Sequence, residues 1–214
     1  MKFASIVLDV DSTLCGVEGV DWLAQRRGVD VARRVRELTD RAMNGEIPLD
    51  SVYGERLSMI APTRVDVDEL GTVYRRTLAD GAPEILTEWL RAGLRVVLVS
   101  GGIRQAIAPL ARELGVPVHA VELRFDDAGN YTDYDRTSPL ATHTGKVDVL
   151  RSLALRRPIL AVGDGSTDVS MKQAADGFVA YTGFVRREQV VAAADASAAS
   201  FMELSEMAYG PGKG

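Results

Sequence analysis

Hydrophobic residues fall along this chain in three successive patterns. At the amino end, Phe3, Ile6, Val7 and Leu8 make a short apolar run with β-branched members, which predicts a buried strand over residues 3–9. Between about residues 17 and 78 the apolar positions recur at helical spacing, in segments 20–24, 32–38, 49–60 and 67–78. Gly28, the stretch Gly45-Glu46-Ile47-Pro48 and the pair Ala61-Pro62 separate these helices. From Ala82-Pro83 onward the pattern alternates. Helices are predicted at 84–92, 103–114, 146–155, 167–175 and 186–193. Strands are predicted at 95–100, 116–121, 158–163 and 177–181, and a hairpin turns around Asp127-Ala128-Gly129-Asn130.

Such alternation points to a parallel sheet with helices on both faces. The predicted architecture is α/β: a Rossmann-like core built from residues 1–15 and 79–214, with a small helical bundle, residues 16–78, inserted after the first strand as a cap. In open sheets of this kind ligands sit beyond the carboxyl ends of the strands.

Composition narrows the function classes. The 214 residues are 46% hydrophobic and 26% charged, as in an ordinary globular protein with a sizeable core. A net charge of −5 argues against nucleic acid as partner, since that surface needs a basic excess. One cysteine, Cys15, leaves no intramolecular disulfide and no cysteine metal cage. Residues 1–9 lack the regions of a signal peptide, and no apolar run approaches the roughly 18 residues of a membrane span. A cytoplasmic protein without a membrane partner is therefore expected, as a monomer or homodimer. The tail Gly210-Pro211-Gly212-Lys213-Gly214 is expected to be disordered.

Three predicted strands end in polar clusters. The first ends in Asp9-Val10-Asp11-Ser12-Thr13. In extended backbone residues i and i+2 share a side, so Asp9 and Asp11 are expected to face one point. The second ends in Ser100-Gly101-Gly102, and the third in Gly163-Asp164-Gly165-Ser166-Thr167-Asp168. Lys146 opens the helix before the third. Crowded carboxylates need a cation or a shared proton. Asp9 and Asp164 suit Mg²⁺, which takes one or two carboxylates together with phosphate oxygens. Ser100, Lys146 and the amides after Gly101 are donors for an anion. A carboxylate can also act as nucleophile and take up a phosphoryl group.

These four motifs, in this order, resemble those of the haloacid dehalogenase superfamily of phosphatases. Glu18, Arg41-Ala42-Met43 with Gly45, and Glu55-Arg56-Leu57 are similar to its phosphoserine phosphatase-like branch, over roughly residues 3–205. The resemblance implies a Mg²⁺-dependent phosphomonoesterase working through an aspartyl-phosphate, with a small phosphorylated amino acid, O-phosphoserine, as substrate, and hence a place in serine biosynthesis. It implies that Asp9 is the nucleophile and Asp11 the acid and base. It implies that the metal is held by Asp9, Asp164 and the backbone carbonyl of Asp11, and that Ser100, Gly101, Gly102 and Lys146 grip the phosphate. Thr13, Gly165 and Asp168 would support the site, and Glu18, Met43 and Arg56 would face the substrate. A Glu for an ammonium and an Arg fork for a carboxylate match an amino acid. Two features depart from many relatives: Pro48 is followed by Leu49 rather than an aromatic residue, and the segment 141–145 is short and poor in glycine.

Competing readings weigh less. Another small phosphorylated alcohol, such as phosphohomoserine or phosphothreonine, would need the same chemistry. A phospho-receiver switch also phosphorylates an aspartate, but it lacks the second acid Asp11 and the large insert. An inactive binding protein of the same fold would not need every catalytic position filled. A calcium loop starting at Asp164 fails because its twelfth position is Ala175, not Glu. Cys15 and His119 read as packed residues, His143 as a solvated loop residue, and Arg33-Arg34 with Arg36 as the wet face of a helix.

Overall fold

The computed structural model describes residues 2–43, 47 and 49–209, the side chains of Ala42, Met43 and Leu49 excepted. The expectations for Met43, Gly45, Pro48, Leu49 and the tail 210–214 thus lie outside the described side chains or residues.

Six strands form one parallel sheet: β1 (Ser5–Leu8), β2 (Arg95–Ile103), β3 (Val118–Val121), β6 (Ile159–Gly163), β7 (Gly177–Tyr181) and β8 (Ala196–Ala198). Their spatial order is β3-β2-β1-β6-β7-β8. All residues of β1 and β6 are buried, as the unbroken apolar runs require for strands covered on both faces. A separate antiparallel pair, β4 (Leu123–Phe125) and β5 (Tyr131–Tyr134), closes the predicted hairpin. β1 sits between β2 and β6, so the chain reverses its winding direction there. That reversal opens a crevice at the carboxyl edge beside β1.

Among the described residues, four helices separate β1 from the rest of the core: α1 (Gly19–Gln25), α2 (Val29–Met43), α3 (Leu49–Ile60) and α4 (Arg64–Arg76). They pack on one another through their apolar faces, with Leu23, Val35, Leu57, Ile60, Leu70 and Tyr74 buried. Thr63 starts α4 with a capping box: its hydroxyl accepts from the Asp66 amide, and the Asp66 carboxylate accepts from the Thr63 amide. α4 also lies against α6 (Arg104–Glu113), where Gly71 leaves room for the backbone carbonyl of Ala106. α5 (Ala82–Arg91), α7 (Gly145–Ser152), α8 (Ser166–Val169), α9 (Glu188–Ala193) and α10 (Phe201–Tyr209) complete the chain.

Several boundaries differ from the predicted ones. β2 continues through Ser100-Gly101-Gly102 to Ile103, with a register irregularity between Val99 and Ile103 that absorbs the glycines. The predicted helix at 167–175 is a short α8 followed by a 3₁₀ turn, Ser170–Gln173. β8 and α10 had no predicted counterpart. Ala-Ser-Ala has no branched side chain to signal a strand, and its pairing to β7 comes from position alone. Among the described residues no helix is long and apolar enough to cross a membrane.

Candidate active site

The first acidic motif does not continue the strand. β1 ends at Leu8, and Asp9 still reaches across to β6 through its amide, which donates to Val162 O. The backbone then turns: Ser12 has φ +53, Cys15 N donates to Val10 O, and Cys15 bridges both Asp11 and Leu78. Asp9 and Asp11 both line the crevice, but a tight turn brings them there. The strand alternation expected from the sequence does not extend to Asp11, because β1 ends at Leu8 and the chain turns after Asp9.

Lys146 is the hub of the core side of the crevice. It projects from the first turn of α7, is buried, and lies 2.5 Å from both Asp9 Oδ1 and Asp168 Oδ1. Asp168 Oδ2 also accepts from the Gly165 amide. Gly163 is required here, because a Cβ would meet the Asp168 carboxyl carbon at 2.2 Å. Thr13 Oγ1 donates to Asp164 Oδ1. The buried Asp164 Oδ2 makes no hydrogen bond but meets the guanidinium of Arg187 as an ion pair. At the end of β2, Ser100 Oγ accepts from the Gly102 amide, and Gly101 O accepts from the Tyr53 hydroxyl.

The insert supplies the opposite wall. Arg56 is buried; its Nη1 donates to Thr39 Oγ1, its guanidinium carbon lies 5.5 Å from the Tyr53 ring centre, and among the described residues its Nε has no partner. An unpaired buried guanidinium nitrogen costs free energy unless a ligand accepts from it. Glu18 accepts from the Ser12 hydroxyl at 2.7 Å and faces Arg187 Nη2 at 3.5 Å. Both Glu18 and Arg56 line the same crevice as Asp9 and Lys146. Sequence reasoning missed Arg187, Thr39, Tyr53 and Tyr74. Arg187 ends a run of two arginines at the start of α9, a pattern that reads as a solvated helix start, yet in the fold its guanidinium meets Asp164.

The charge balance is the main electrostatic fact. Asp9, Asp11, Glu18, Asp21, Asp164 and Asp168 line the crevice against Arg56, Lys146 and Arg187. Burial, then the Asp168 carboxylate, raises the Asp9 pKa. Burial, then the Glu18 charge, pushes Asp11 up to about 7. Burial also opposes the Lys146 charge, but Asp168 and Asp9 outweigh it and raise its pKa, so the lysine stays cationic. An added cation would lower the cost of bringing a dianion into this acidic site. The acidic ligand atoms of Asp9, Asp164 and Asp168 lie within 4.8 Å of one another and all three residues are buried. A hard divalent cation fits this oxygen donor set. Both Asp168 oxygens accept hydrogen bonds, from Lys146 and the Gly165 amide, whereas Asp9 accepts one from Lys146 and Asp164 one from Thr13, with Arg187 ion-paired at its other oxygen; a bound metal would take the remaining oxygens of Asp9 and Asp164. The Asp11 carboxylate stands outside the cluster, bonded instead to Tyr74 and to the Gly19 amide.

Comparison with known proteins gives a consistent result. The model of the haloacid dehalogenase-like hydrolases matches residues 6–173. The phosphoserine phosphatase of Homo sapiens is 35% identical over 206 residues, covering 94% of this chain and 91% of the human protein. A phosphoserine phosphohydrolase-like protein from Francisella tularensis superposes with a TM-score of 0.84 at 26% identity, over 97% of this chain and 99% of that one. A phosphoserine phosphatase solved as an analogue of its phospho-aspartyl intermediate superposes with a TM-score of 0.80 at 26% identity, over 97% and 99%.

Proposed function

The chain belongs to the haloacid dehalogenase-like hydrolases, and from that premise we propose a Mg²⁺-dependent phosphoserine phosphatase that releases serine and phosphate through an aspartyl-phosphate. Asp9 attacks phosphorus with a carboxylate oxygen while the ester P–O bond breaks. Asp11 gives its proton to the departing serine oxygen. It then takes a proton from the water that cleaves the acyl-phosphate and frees Asp9. The seryl oxygen is a poor leaving group, and a well-placed acid contributes about 10²–10⁴ in rate.

Asp9, Asp164 and the backbone carbonyl of Asp11 would hold Mg²⁺, which supplies the positive charge that lets a phosphate enter an acidic crevice. Lys146, Ser100 and the amides at Gly101 and Gly102 grip the phosphate oxygens, with Thr13, Gly165 and Asp168 supporting them. The helices of residues 16–78 act as the cap. Arg56 binds the substrate carboxylate and Glu18 its ammonium.

One observation carries the substrate assignment. Arg56, whose buried Nε has no hydrogen-bond partner among the described residues, and Glu18 line the same crevice as Lys146. Phosphate release from a panel of phosphorylated metabolites tests the reading. Phosphoserine should head the panel, and EDTA should abolish turnover. Arg56→Ala should raise KM for phosphoserine by about 10-fold or more while sparing p-nitrophenyl phosphate, because a buried charged hydrogen bond is worth roughly 1.5–3 kcal/mol. A preference for phosphothreonine or phosphohomoserine would move the substrate and leave the reaction class. Accumulation of stable phospho-enzyme without turnover would replace the phosphatase with a phospho-receiver.

A further inference from the structure

Tyr74 lies on α4, 63 residues from Asp11, in a stretch where a tyrosine reads as core filling. Its ring is fully buried. The hydroxyl, however, ends on a carboxylate: it donates to Asp11 Oδ1 at 2.6 Å. The second carboxyl oxygen, Oδ2, takes only a long bond from the Gly19 amide, 3.3 Å. That oxygen is turned toward the Ser100-Gly101-Gly102 segment, where a Cβ on Gly102 would stand 3.3 Å from it. One oxygen of Asp11 is therefore anchored by a short bond to α4 of the insert, and the other, held only loosely by the Gly19 amide, faces the predicted phosphate position.

The surroundings are shaped around that hydroxyl. A Cβ on Gly19 would lie 2.3 Å from Tyr74 Oη, 3.2 Å from Cζ and 3.3 Å from a Leu70 methyl. The hydroxyl is thus the atom that most strongly requires glycine at position 19. A phenylalanine would fill the same core space with far less need of Gly19. The tyrosine and the glycine together make sense as a device for holding Asp11.

We propose that Tyr74 is a positioning residue for proton transfer, its hydroxyl pinning Asp11 Oδ1 so that Oδ2 faces the ester oxygen and later the attacking water. This rests on the reading of Asp11 as acid and base. No bond to Tyr74 forms or breaks. The proton passes from Asp11 to the serine oxygen as that P–O bond breaks and Asp9 bonds phosphorus. It returns to Asp11 from the water whose oxygen displaces Asp9.

Rapid mixing of Tyr74→Phe with p-nitrophenyl phosphate, whose leaving group needs no proton, tests the assignment. The variant should release a first equivalent of p-nitrophenol at close to the wild-type rate, then turn over about tenfold slower, part of the 10²–10⁴ that a general acid–base contributes. On phosphoserine it should show about the same tenfold loss in kcat with KM unchanged. Gly19→Ala, which keeps Tyr74 but displaces its hydroxyl, should reproduce this split, and the double variant should be no slower than Gly19→Ala alone. A Tyr74→Phe enzyme that matches wild type in both phases, or slows both by one factor, overturns the proposal. Asp11→Asn separates the two levels: if it shows the split and Tyr74→Phe does not, only Tyr74 loses its role. If Asp11→Asn shows no split, the reading of Asp11 fails and Tyr74 falls with it.

Discussion

Asp66 in the helical insert and Asp9 at the sheet edge are both buried aspartates, yet their surroundings are opposite. Asp66 is saturated with donors. Oδ1 takes Arg26 Nε, while Oδ2 takes Arg27 Nη2 and the amide and hydroxyl of Thr63. Burial works against its charge, but the hydrogen bonds from Arg27 and Thr63 outweigh it and hold the carboxyl well below the usual range. Around Asp9 the balance is reversed. One lysine is shared with Asp168, further acids crowd the crevice, and burial raises the Asp9 pKa. The insert uses its buried acid to cap α4 and tie it to α1. The sheet edge leaves its acids short of cations, at a cost in stability that a bound cation would offset. A saturated carboxylate is a structural part, and an undersupplied cluster is a binding site.

Exchanging the two chemistries tests that contrast most severely. Asp9→Asn should lower kcat by at least about 10⁴-fold, since a nucleophile is lost, while thermal unfolding stays at or above the wild-type midpoint. An Asp9→Asn enzyme with near wild-type turnover would remove the nucleophile assignment. Asp66→Ala should do the converse. It should lose about 2 kcal/mol in urea unfolding, from the helix cap and the stranded arginines, and keep its kcat below the melting range. A fall in kcat at full folding would mean that the Asp66 network reaches the crevice.

The smallest effect lies in the pH dependence of stability without metal. Asp11 titrates near 7 when folded and near about 4 when unfolded. Between those values the folded chain holds a proton that the unfolded chain has released, so this carboxyl makes stability fall as pH rises through the window. Asp66 acts in the opposite sense. Its contribution is present above about 4 and is lost as pH falls toward its lowered folded value. In EDTA, Asp11→Asn should flatten the decline between about pH 4 and 7, and Asp66→Ala should flatten the acid limb. Unfolding midpoints measured across pH would show it, and an unchanged slope in Asp11→Asn would mean that its carboxyl is not held protonated by burial.

Most of the architecture was legible in the chain because hydrophobic periodicity is local. Alternation of strand and helix after residue 82, and the helical run before it, appear in the structure with boundary shifts of a few residues. Asp9, Asp11, Ser100 and Asp164 were readable because their motifs stand at or just after strand ends, where a parallel sheet gathers side chains on one edge, and Lys146 because it opens the helix that leads into β6. Arg187 and Tyr74 carried no such signal. An arginine before a helix and a tyrosine in an apolar stripe are ordinary until the fold sets one beside Asp164 and the other beside Asp11.

The order of apolar and acidic residues by itself determined most of the strands and helices, the helical run of the insert and the acids near the strand ends, since each depends on neighbours a few positions away. The turn after Leu8, the pairing of Asp11 with Tyr74 and the charge shortage of the crevice were decided by tertiary structure alone. Contacts between residues 63 and 151 positions apart depend on how strands are ordered and helices seated, which no local pattern encodes.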